Sequence, residues 1–574
     1  MKVLKNSIPK HLKKYIVKQD YSSYTYIDQS CWKFIMKISV NFFTKNAHKV
    51  YLEGLEKTGI TINKIPEIDL INKKLNNFGW SAVCVRGFIP PNAFMEFQSL
   101  KILPIAADMR SHHHLTYTPA PDIVHEAAGH APIIADHDYS QYLIDYGEIA
   151  SKAIMSSEDM ALYYAIRDLS DIKEKESTTK EEIEYYESKL EDAYANITYL
   201  SESSILSRMN WWTVEYGLIG NIESPKIYGA GLLSSVGESE NCLQNSIKKL
   251  PLNLDCINYN YDITEQQPQL FVTPTFIHLT KTLNKLSKKM SYKIGGEHGL
   301  KQAVKAKTIC TIELDNMFQI SGIVEKYILH KGNPIFVKTS GPTQLCYKNK
   351  EITNQGISFH KEGYSCPIGN IKKYNKPINK LDKVEQKELN IEINKTVNFE
   401  FVGSIKVRGD ITKIYKKGGS IIVLTLKNCL IKHKNSILFD PSWGKFDLIA
   451  GNIINSVYGG PCDKVNFYKD ANNIGKYKKY NKSSKIVFNK KLNNLHKELA
   501  EIKNVRKSLK LIENIYKKAI HNFPNEWLIL YEILELTSKI KSAYWVEEIK
   551  INLKKLIKNN DDLGNAIKRG LDLI

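Results

Sequence analysis

The sequence predicts a mainly α-helical domain with irregular connections, followed by a small β-rich domain and a C-terminal helical segment. Three observations carry this prediction. Apolar residues recur at helical spacing through roughly the first 300 positions, short β-prone runs separated by glycine occupy 398–470, and leucines and isoleucines alternate spacings of three and four after residue 488. A chain of 574 residues exceeds what one hydrophobic core usually serves, so we expect about two to four domains.

The helical domain is predicted to span residues 1–335. Near its start, one apolar stripe follows the helical period: Trp32, Phe34, Ile35, Ile38 and Phe42. The charged stretch 173–200 repeats this pattern with tyrosines and Leu190 set between carboxylates.

Residues 336–397 are predicted to form an irregular linker, because they are dense in Gly, Pro, Asn and Ser and contain only brief apolar runs. From 398 to 485 we expect the small β domain, since FEFVGSIKVRG, ITKIYKKGGSIIVLTLKNC and NIINSVYGG are all β-prone. Gly418 and Gly419 suit a hairpin turn, because glycine accepts positive φ.

Residues 486–574 are predicted to form a helical hairpin or bundle. Its first part carries an apolar stripe: Leu492, Leu495, Leu499, Ile502, Val505, Leu509, Ile512 and Ile515. Unless the helices expected after Pro524 cover this stripe, a second chain must do so. The tail is therefore a candidate regulatory or homo-oligomerisation element, and we expect residues 398–574 to be dispensable for chemistry.

Nothing in the sequence indicates export or a membrane span. The first twenty residues lack a continuous apolar run, and nowhere do about 18 uncharged apolar residues follow one another. The nine cysteines are dispersed without a CxxC pair, a pattern typical of reduced thiols. We expect a cytoplasmic protein without membrane association.

The formal charge of +20 lies entirely in the second half of the chain. Residues 1–300 contain 32 Lys and Arg against 35 Asp and Glu, whereas residues 301–574 contain 49 against 26. The excess lysine comes with much Asn and Ile, a composition that an AT-rich genome produces without any anionic partner. A nucleic-acid-binding module fused to an enzyme stays a disfavoured alternative, because the β region lacks aromatic residues interleaved with arginine.

Two histidines, His125 and His130, stand five residues apart in TPAPDIVHEAAGHAP (118–132). On a regular helix five residues rotate by about 140°, so the two imidazoles would not share a face as an i, i+4 pair does. The segment must therefore deform or end between them, and Gly129 and Pro132 supply a break. This spacing excludes an HExxH zinc protease but leaves open a different zinc site or a structural histidine pair.

Glu215 is the candidate for a third ligand. It lies in RMNWWTVEYGLIG among neighbours that favour burial, and a buried carboxylate needs a partner, which is either a metal ion or a salt bridge. Two histidines and one carboxylate on one face leave positions open on ferrous iron for O2 and substrate.

Three segments resemble the biopterin-dependent aromatic amino acid hydroxylases, the family of phenylalanine, tyrosine and tryptophan hydroxylases. They are DMRSHHHLTYTPAPDIVHEAAGHAP (108–132), WWTVEYGLI (211–219) and IYGAGLLSSVGE (227–238), in the order and spacing of the family. Weaker likeness at 50–75 and 85–97 extends the resemblance over roughly residues 20–285. The downstream half matches nothing in the family's common part.

The resemblance implies a monooxygenase that uses Fe(II), a tetrahydropterin and O2 to hydroxylate the ring of an aromatic amino acid. Iron would be bound by His125, His130 and Glu215. The pterin would lie against a second set of residues: Gly87, Phe88, Ile89, Phe94 and Glu126.

The substrate residues implied by the resemblance are Arg110, Thr118, Pro121, Trp211, Gly231 and Ser234. Arg110 would clamp the substrate carboxylate with its planar guanidinium, Thr118 and Ser234 would hydrogen-bond the amino-acid end, and Pro121 and Trp211 would wall the ring. Asp122 is expected either to orient a ligating imidazole or to be a surface aspartate at the start of a helix. His112, His113 and His114 are interpreted as loop residues that line the approach to the site and lie outside the ligand set.

Phenylalanine is the first choice of substrate, because Trp211 resembles the residue of phenylalanine and tyrosine hydroxylases. Asn210 and Trp212 depart from the usual pattern and keep tryptophan or tyrosine hydroxylation open. A zinc-dependent hydrolase built on the same histidine pair is a further alternative. The native pterin, the oligomeric state and the role of residues 398–574 are not determined by the sequence.

Overall fold

A computed structural model of the chain describes residues 8–113, 115, 121–173, 178–262, 266–471, 489–538, 544–558 and 561–574. Helices dominate up to residue 306, strands occupy 309–459, and helices return from residue 490. The predicted order of a helical, a sheet-rich and a second helical part is therefore confirmed, whereas several boundaries differ.

Apart from the three-residue helix Ala131–Ile133, the first helical part contains thirteen α-helices among the described residues. They are α1 Tyr26–Asn46, α2 Lys49–Thr58, α3 Ile68–Leu75, α4 Pro91–Ser99, α5 His137–Ala150, α6 Ser157–Lys173, α7 Lys180–Ala195, α8 Glu202–Asn210, α9 Ala230–Ser234, α10 Glu238–Asn241, α11 Phe276–Ser287, α12 Ser291–Ile294 and α13 Gly296–Ala306. Two π-helical turns, Val124–His130 and Trp211–Glu215, interrupt this series, and the first continues into the short helix Ala131–Ile133.

Helix α1 illustrates how the sequence forms these elements. Thr25 and Asp28 make a reciprocal capping box at its start, which satisfies backbone amides that have no partner within the helix. The predicted stripe of Trp32, Phe34, Ile35 and Ile38 is buried, so α1 lies against the core along that face.

Two small sheets accompany these helices. β1 Ser81–Val85 and β2 Ile102–Ala106 form a parallel pair in which Ser81 lies opposite Ile102. β3 Leu218–Ile219, β4 Lys226–Ile227, β5 Lys248–Pro251 and β6 Gln269–Thr273 form a four-stranded sheet in the order β4-β3-β6-β5. Strand β1 leads directly into a segment that lines the cavity described below, and β3 follows shortly after another such segment.

The middle part consists of two larger antiparallel sheets. The first has the order β10-β9-β8-β7-β17 with β11 added on β9, and the second has the order β12-β13-β14-β15 with β16 added on β14. Their bounds are β7 Ile309–Leu314, β8 Phe318–His330, β9 Asn333–Tyr347, β10 Lys350–Glu351, β11 Gly363–Pro367, β12 Thr396–Phe401, β13 Ile405–Lys417, β14 Ser420–His433, β15 Ser436–Phe439, β16 Phe446–Ile449 and β17 Ile454–Gly459. Both sheets and the last turns of α13 share one hydrophobic core.

Two predictions for this part had different outcomes. The β13–β14 hairpin turns at Gly418 and Gly419, whose φ values are 57° and 82°, as the sequence predicts. The prediction of an irregular linker over 336–397 is wrong, because β9 and β11 pair within that range and α14 Lys383–Glu388 follows them. Register shifts in the β8–β9 ladder accommodate the Gly and Pro residues that made the segment resemble a loop.

The β-rich part therefore begins at Ile309, and its last strand ends at Gly459. This differs from the predicted β domain of 398–485 at both ends. A helix, α15 Lys464–Ala471, occupies part of the predicted range, and residues 472–488 lie outside the described residues.

The C-terminal part consists of α16 Lys490–Ala500, α17 Leu509–Asn522, α18 Trp527–Thr537, α19 Tyr544–Lys558 and α20 Asp561–Leu571. These helices share the hydrophobic core of the first helical part, with Trp527 and Tyr531 packed edge-on against Phe34 at centroid distances of 4.8 and 4.7 Å. Five residues of the predicted stripe are buried inside the chain: Leu492, Leu495, Leu499, Ile512 and Ile515.

The packing corrects the prediction that 486–574 forms a separate unit. The apolar stripe is covered by α18 and α1 of the same chain, so its burial requires no second copy. Helical periodicity predicts that a face must be buried, but it does not tell which element covers it.

Seven 3₁₀ turns complete the described structure: Lys13–Tyr15, Tyr21–Ser23, Asn76–Phe78, Leu254–Asn258, Ile378–Lys380, Pro441–Trp443 and Arg506–Ser508.

None of the helices in the described ranges combines the length and the apolar character that a bilayer crossing requires.

Candidate metal centre and active site

His125 and His130 lie on the π-helical turn Val124–His130. In a π-helix the backbone bonds join residues five apart, so residues i and i+5 fall close to one face. The expected deformation between the histidines is therefore present as a wider turn, and the helical path continues through Pro132 instead of breaking there. Gly129 has a different role, since a Cβ atom at this position would lie 2.7 Å from the carbonyl oxygen of Ala230.

Glu215 ends the second π-helical turn, Trp211–Glu215. The chain around it is closely packed: a Cβ atom on Gly229 would lie 2.4 Å from the carbonyl oxygen of Glu215, and one on Gly217 would lie 2.2 Å from that of Thr213. These glycines allow helix α9 to lie close to the backbone of Glu215. The carboxylate is thereby brought opposite the two histidines.

The ligand atoms of three side chains converge at this point. The Nε2 atoms of His125 and His130 are 3.2 Å apart, and the Glu215 carboxylate oxygens lie 3.4 Å from Nε2 of His125 and 3.5 Å from that of His130. Bonds of about 2.1 Å from each atom to one divalent ion give spacings of this size. Two imidazoles and one carboxylate, all turned to one side, form a metal-binding set with open positions.

Burial sets the charge of these groups. It lowers the pKa of His125 to about 4, with the charge of Arg110 acting in the same direction, and it lowers the pKa of His130 well below its usual range. It also raises the pKa of Glu215 to about 7, against hydrogen bonds from Asn210 and the Gly231 amide. Neutral imidazoles are the form that binds metal, and a bound cation would compensate the buried carboxylate, so the donor set fits a divalent ion.

Ser234 orients His125. Its hydroxyl donates to the carbonyl oxygen of Ala230 at 2.8 Å, and it lies 2.9 Å from Nδ1 of His125. Because the hydroxyl proton is used in this bond, the hydroxyl oxygen accepts from Nδ1–H of His125. Nε2 of His125 is then unprotonated, and its lone pair faces the other two ligands. Ser234 also lines the cavity, and its hydroxyl oxygen keeps a second lone pair, so the prediction that it bonds the amino-acid end of a substrate stays a prediction.

Asp122 contacts a different group from the one predicted. Its carboxylate accepts from Nε of Arg110 at 2.7 Å and from Nη2 at 2.9 Å, and it accepts from the backbone amide of His125 at 3.0 Å. No bond joins it to a described imidazole. Asp122 thus holds Arg110, and the sequence did not indicate this pairing because surface and helix-start aspartates have the same local pattern.

Arg110 is buried and fully oriented by its surroundings. Besides the bidentate pair with Asp122, its Nη1 donates to the carbonyl oxygens of Ser234 at 3.0 Å and of Leu115 at 3.3 Å. The Asp122 charge raises its pKa although burial opposes this, so the guanidinium stays charged. A fixed cation beside the triad can bind an anionic group of a ligand.

A cavity of about 550 Å³ opens beside the triad. Its lining includes nearly all the site residues that the sequence predicts: Gly87, Phe88, Ile89, Phe94, Arg110, Pro121, His125, Glu126, His130, Trp211, Glu215, Gly231 and Ser234. Thr118 lies outside the described residues, so the position predicted for it stays a prediction. Asp122 does not line the cavity but lies directly behind Arg110.

Trp211 is held between two tyrosines. Its ring stacks on Tyr216 and on Tyr261, at 4.5 Å between centroids in both cases, and its Nε1 lies 3.3 Å from the Gln267 side-chain oxygen. The sequence did not predict a site role for Tyr261 or for Asn210, whose side chain bonds Glu215. The only sequence signal for Asn210 was its departure from the usual pattern beside Trp211.

Glu126 is buried and lines the cavity. Its Oε2 lies 4.0 Å from Nε2 of His130 and has no hydrogen-bond partner among the described residues. Burial raises the pKa of Glu126 well above its usual range, and the nearby carboxylate of Glu215 adds to this effect. An unpartnered buried oxygen in a cavity wall fits a ligand that presents N–H groups.

Of the three neighbouring histidines, His112 and His113 are outside the triad as predicted, but neither of them lines the cavity. His112 and His113 lie apart from the triad, next to Glu526 of the C-terminal helices, and His114 is outside the described residues.

The fold and the site define a class: a helical enzyme domain whose buried two-histidine, one-carboxylate centre opens onto an aromatic-lined cavity. The family model described as biopterin-dependent aromatic amino acid hydroxylase matches residues 10–203 and 198–298, together half of the chain. The chain belongs to the biopterin-dependent aromatic amino acid hydroxylase family, and it is a pterin-dependent aromatic amino acid monooxygenase.

Its similar proteins include two bacterial phenylalanine-4-hydroxylases. That of Chromobacterium violaceum is 27% identical over 264 residues, which cover 46% of this chain and 74% of the relative. That of Mesorhizobium japonicum is 25% identical over 266 residues, covering 46% and 80%. The crystal structure of the C. violaceum enzyme with iron(III) and 7,8-dihydrobiopterin aligns with 26% identity, 48% and 85% coverage and a TM-score of 0.38.

Proposed function

We propose that the protein converts phenylalanine to tyrosine with O2, a tetrahydropterin and ferrous iron, the iron being held by His125, His130 and Glu215. The observation that carries this proposal is the convergence of the three ligand side chains at the wall of the cavity, where their nearest ligand atoms are 3.2, 3.4 and 3.5 Å apart. Bound iron and reduced pterin would supply the activation of O2 and the two electrons that the reaction needs.

The ligands are held in place by their own hydrogen bonds. Ser234 fixes the His125 imidazole with Nε2 unprotonated, and Asn210 and the Gly231 amide bond the Glu215 carboxylate. Such outer partners keep a metal-binding geometry without the metal having to reorganise the side chains. The chain's contribution is thus a preformed set of two imidazoles and one carboxylate.

Arg110 would bind the carboxylate of the amino-acid substrate. Its orientation comes from Asp122 and two backbone carbonyls, so the positive charge is fixed before substrate enters. Trp211 and Pro121 line the same cavity and offer apolar surface to the substrate ring. The stack of Trp211 between Tyr216 and Tyr261 keeps this wall rigid.

The pterin would lie against the loop that follows β1. Gly87 has a φ of 56°, and its amide lies 3.2 Å from the Asp108 carboxylate, which fixes the turn at the cavity wall. Phe88, Ile89 and Phe94 add apolar and aromatic surface for a flat ring. The unpartnered Oε2 of Glu126 would accept from ring N–H groups of the cofactor.

Phenylalanine is proposed as substrate because the similar proteins named above are phenylalanine-4-hydroxylases and because Trp211 forms part of the cavity wall. The experiment that tests this supplies iron-loaded full-length protein with tetrahydropterin and O2 and offers phenylalanine, tyrosine and tryptophan separately. We expect tyrosine from phenylalanine as the fastest product. Faster turnover of tryptophan or tyrosine would change the substrate, and no turnover of any of the three would refute the proposal.

A further inference from the structure

A second cluster of metal-type ligands lies outside the active site, where the C-terminal helices meet the segment after Arg110. Glu526 immediately precedes α18, and its carboxylate contacts two neighbouring imidazoles. Its Oε2 is 2.7 Å from Nε2 of His112, and its Oε1 is 3.4 Å from Nε2 of His113. The two rings are 4.0 Å apart between centroids.

The side chain of Glu526 contacts the histidines and not the helix that follows it. Glu526 is the N-cap residue of α18, but its side chain makes no hydrogen bond to the helix it precedes. The carboxylate turns away toward the histidines instead of satisfying the amides of the first turn. The arrangement therefore serves the contact between the two segments and not the helix end.

The framework around this cluster is rigid on one side and open on the other. Nε1 of Trp527 donates to the carbonyl oxygen of His112 at 3.3 Å, and Phe34 packs edge-on against the same indole. The side chains of His112 and Glu526 are 10% and 18% exposed, whereas that of His113 is 54% exposed. An ion can thus reach the cluster from the His113 side while two of its ligands stay fixed.

We propose that His112, His113 and Glu526 bind a divalent cation of the zinc type, separate from the iron site, which links the C-terminal helices to the segment next to Arg110. Two imidazoles and one carboxylate are a donor set that zinc accepts, with water completing four ligands. Ligand atoms on a tetrahedral ion with bonds of about 2.0–2.1 Å lie about 3.3 Å apart. The 3.4 Å pair already matches this spacing, and a small rotation of Glu526 away from His112 brings the 2.7 Å pair to it.

The test is the zinc content of the full-length protein, stripped of metal, incubated with Zn²⁺ alone and desalted. We expect two equivalents in the wild type, because zinc also enters the triad. One equivalent is expected for His113→Ala and for Glu526→Gln, one for Glu215→Gln, and none for Glu215→Gln combined with His113→Ala. His137→Ala removes a side chain that is 94% exposed elsewhere on the surface and should keep both equivalents.

A single equivalent in the wild type that is unchanged by His113→Ala would overturn the proposal and leave the cluster as an ion pair. Two equivalents that survive both His113→Ala and Glu526→Gln would also overturn it, because the second ion would then lie elsewhere. His113 is the preferred position because its exposed side chain can be removed without opening the core. Tyrosine formation by the iron-loaded enzyme tests the proposed function separately.

Discussion

The Nε2 atoms of His125 and His130 lie 3.2 Å apart because the residues between them form a π-helical turn. A regular α-helix would point the two imidazoles about 140° apart. Glu215 ends a π-helical turn as well, so the three ligand side chains are all positioned by the same local departure from α-helical geometry. The wider turn is what allows a five-residue spacing to serve a single ion.

Replacing Ser234 by alanine should weaken iron binding about tenfold, because the hydrogen bond that orients His125 is lost while the three ligands remain. The measurement is the iron dissociation constant by competition with a chelator. Ser239 is a matched control, since its buried hydroxyl donates only to the carbonyl oxygen of Val236 and Ser239→Ala should bind iron normally. Unchanged iron affinity in Ser234→Ala would remove this serine from the metal site.

Replacing Arg110 by lysine should lower kcat/KM for the amino acid by about tenfold or more, while pterin affinity changes little. Lysine cannot keep the bidentate pair with Asp122, and one charge-assisted hydrogen bond is worth about 1.5–3 kcal/mol. Asp122→Asn should have an effect in the same direction, because Asp122 acts through Arg110. Arg506→Lys, at an exposed position in the tail, is the control.

A change in pterin affinity instead of substrate kinetics would contradict the role proposed for Arg110. Steady-state kinetics with each ligand varied in turn distinguishes the two outcomes.

Much of the candidate site could be predicted from the sequence, because its residues lie in three compact motifs. The cavity contains Arg110, the triad and the Gly87 loop as expected. Tyr261 could not be predicted, since it meets Trp211 from a segment fifty residues away and nothing in its local pattern signals the stack. Asp122 was assigned to the wrong partner for a related reason: a sequence places it near both Arg110 and His125 without deciding between them.

Beyond the order of its three parts, less of the fold could be predicted from the sequence. Glycine and proline in β9 predicted a loop, although register shifts let the strand continue. The contact of Phe34 with Trp527 joins residues almost five hundred positions apart, and helical periodicity alone does not reveal such a pair.

Replacing Glu535 by glutamine should destabilise the docking of α18 on α1 by about 1 kcal/mol at neutral pH, since its carboxylate binds Lys33 and Lys37 at a partly exposed site. Burial raises the pKa of Glu535, but the two lysines more than offset this and leave it below its ordinary value of 4.5. A lowered folded-state pKa gives stability that is present above pH 4.5 and is lost as the pH falls through the folded-state value.

The unfolding free energies of wild type and Glu535→Gln should therefore differ at pH 7 and converge on acidification below pH 4.5, as measured by chemical denaturation. Glu547→Gln, which removes an exposed pair with Lys550, is the control and should match the wild type at every pH. A difference between wild type and Glu535→Gln that stays constant with pH would show that the carboxylate charge does not hold the helices together.

The most direct test of the account compares wild type and Glu215→Gln for iron content and for tyrosine formed from phenylalanine in the same samples. A neutral amide fits the same space but cannot balance a ferrous ion as the carboxylate does. We expect the wild type to hold one iron per chain in the triad and form tyrosine, and the variant to fold normally, lose most of that iron and form no detectable tyrosine. Normal iron content and normal tyrosine formation in Glu215→Gln would contradict the assignment of the metal centre.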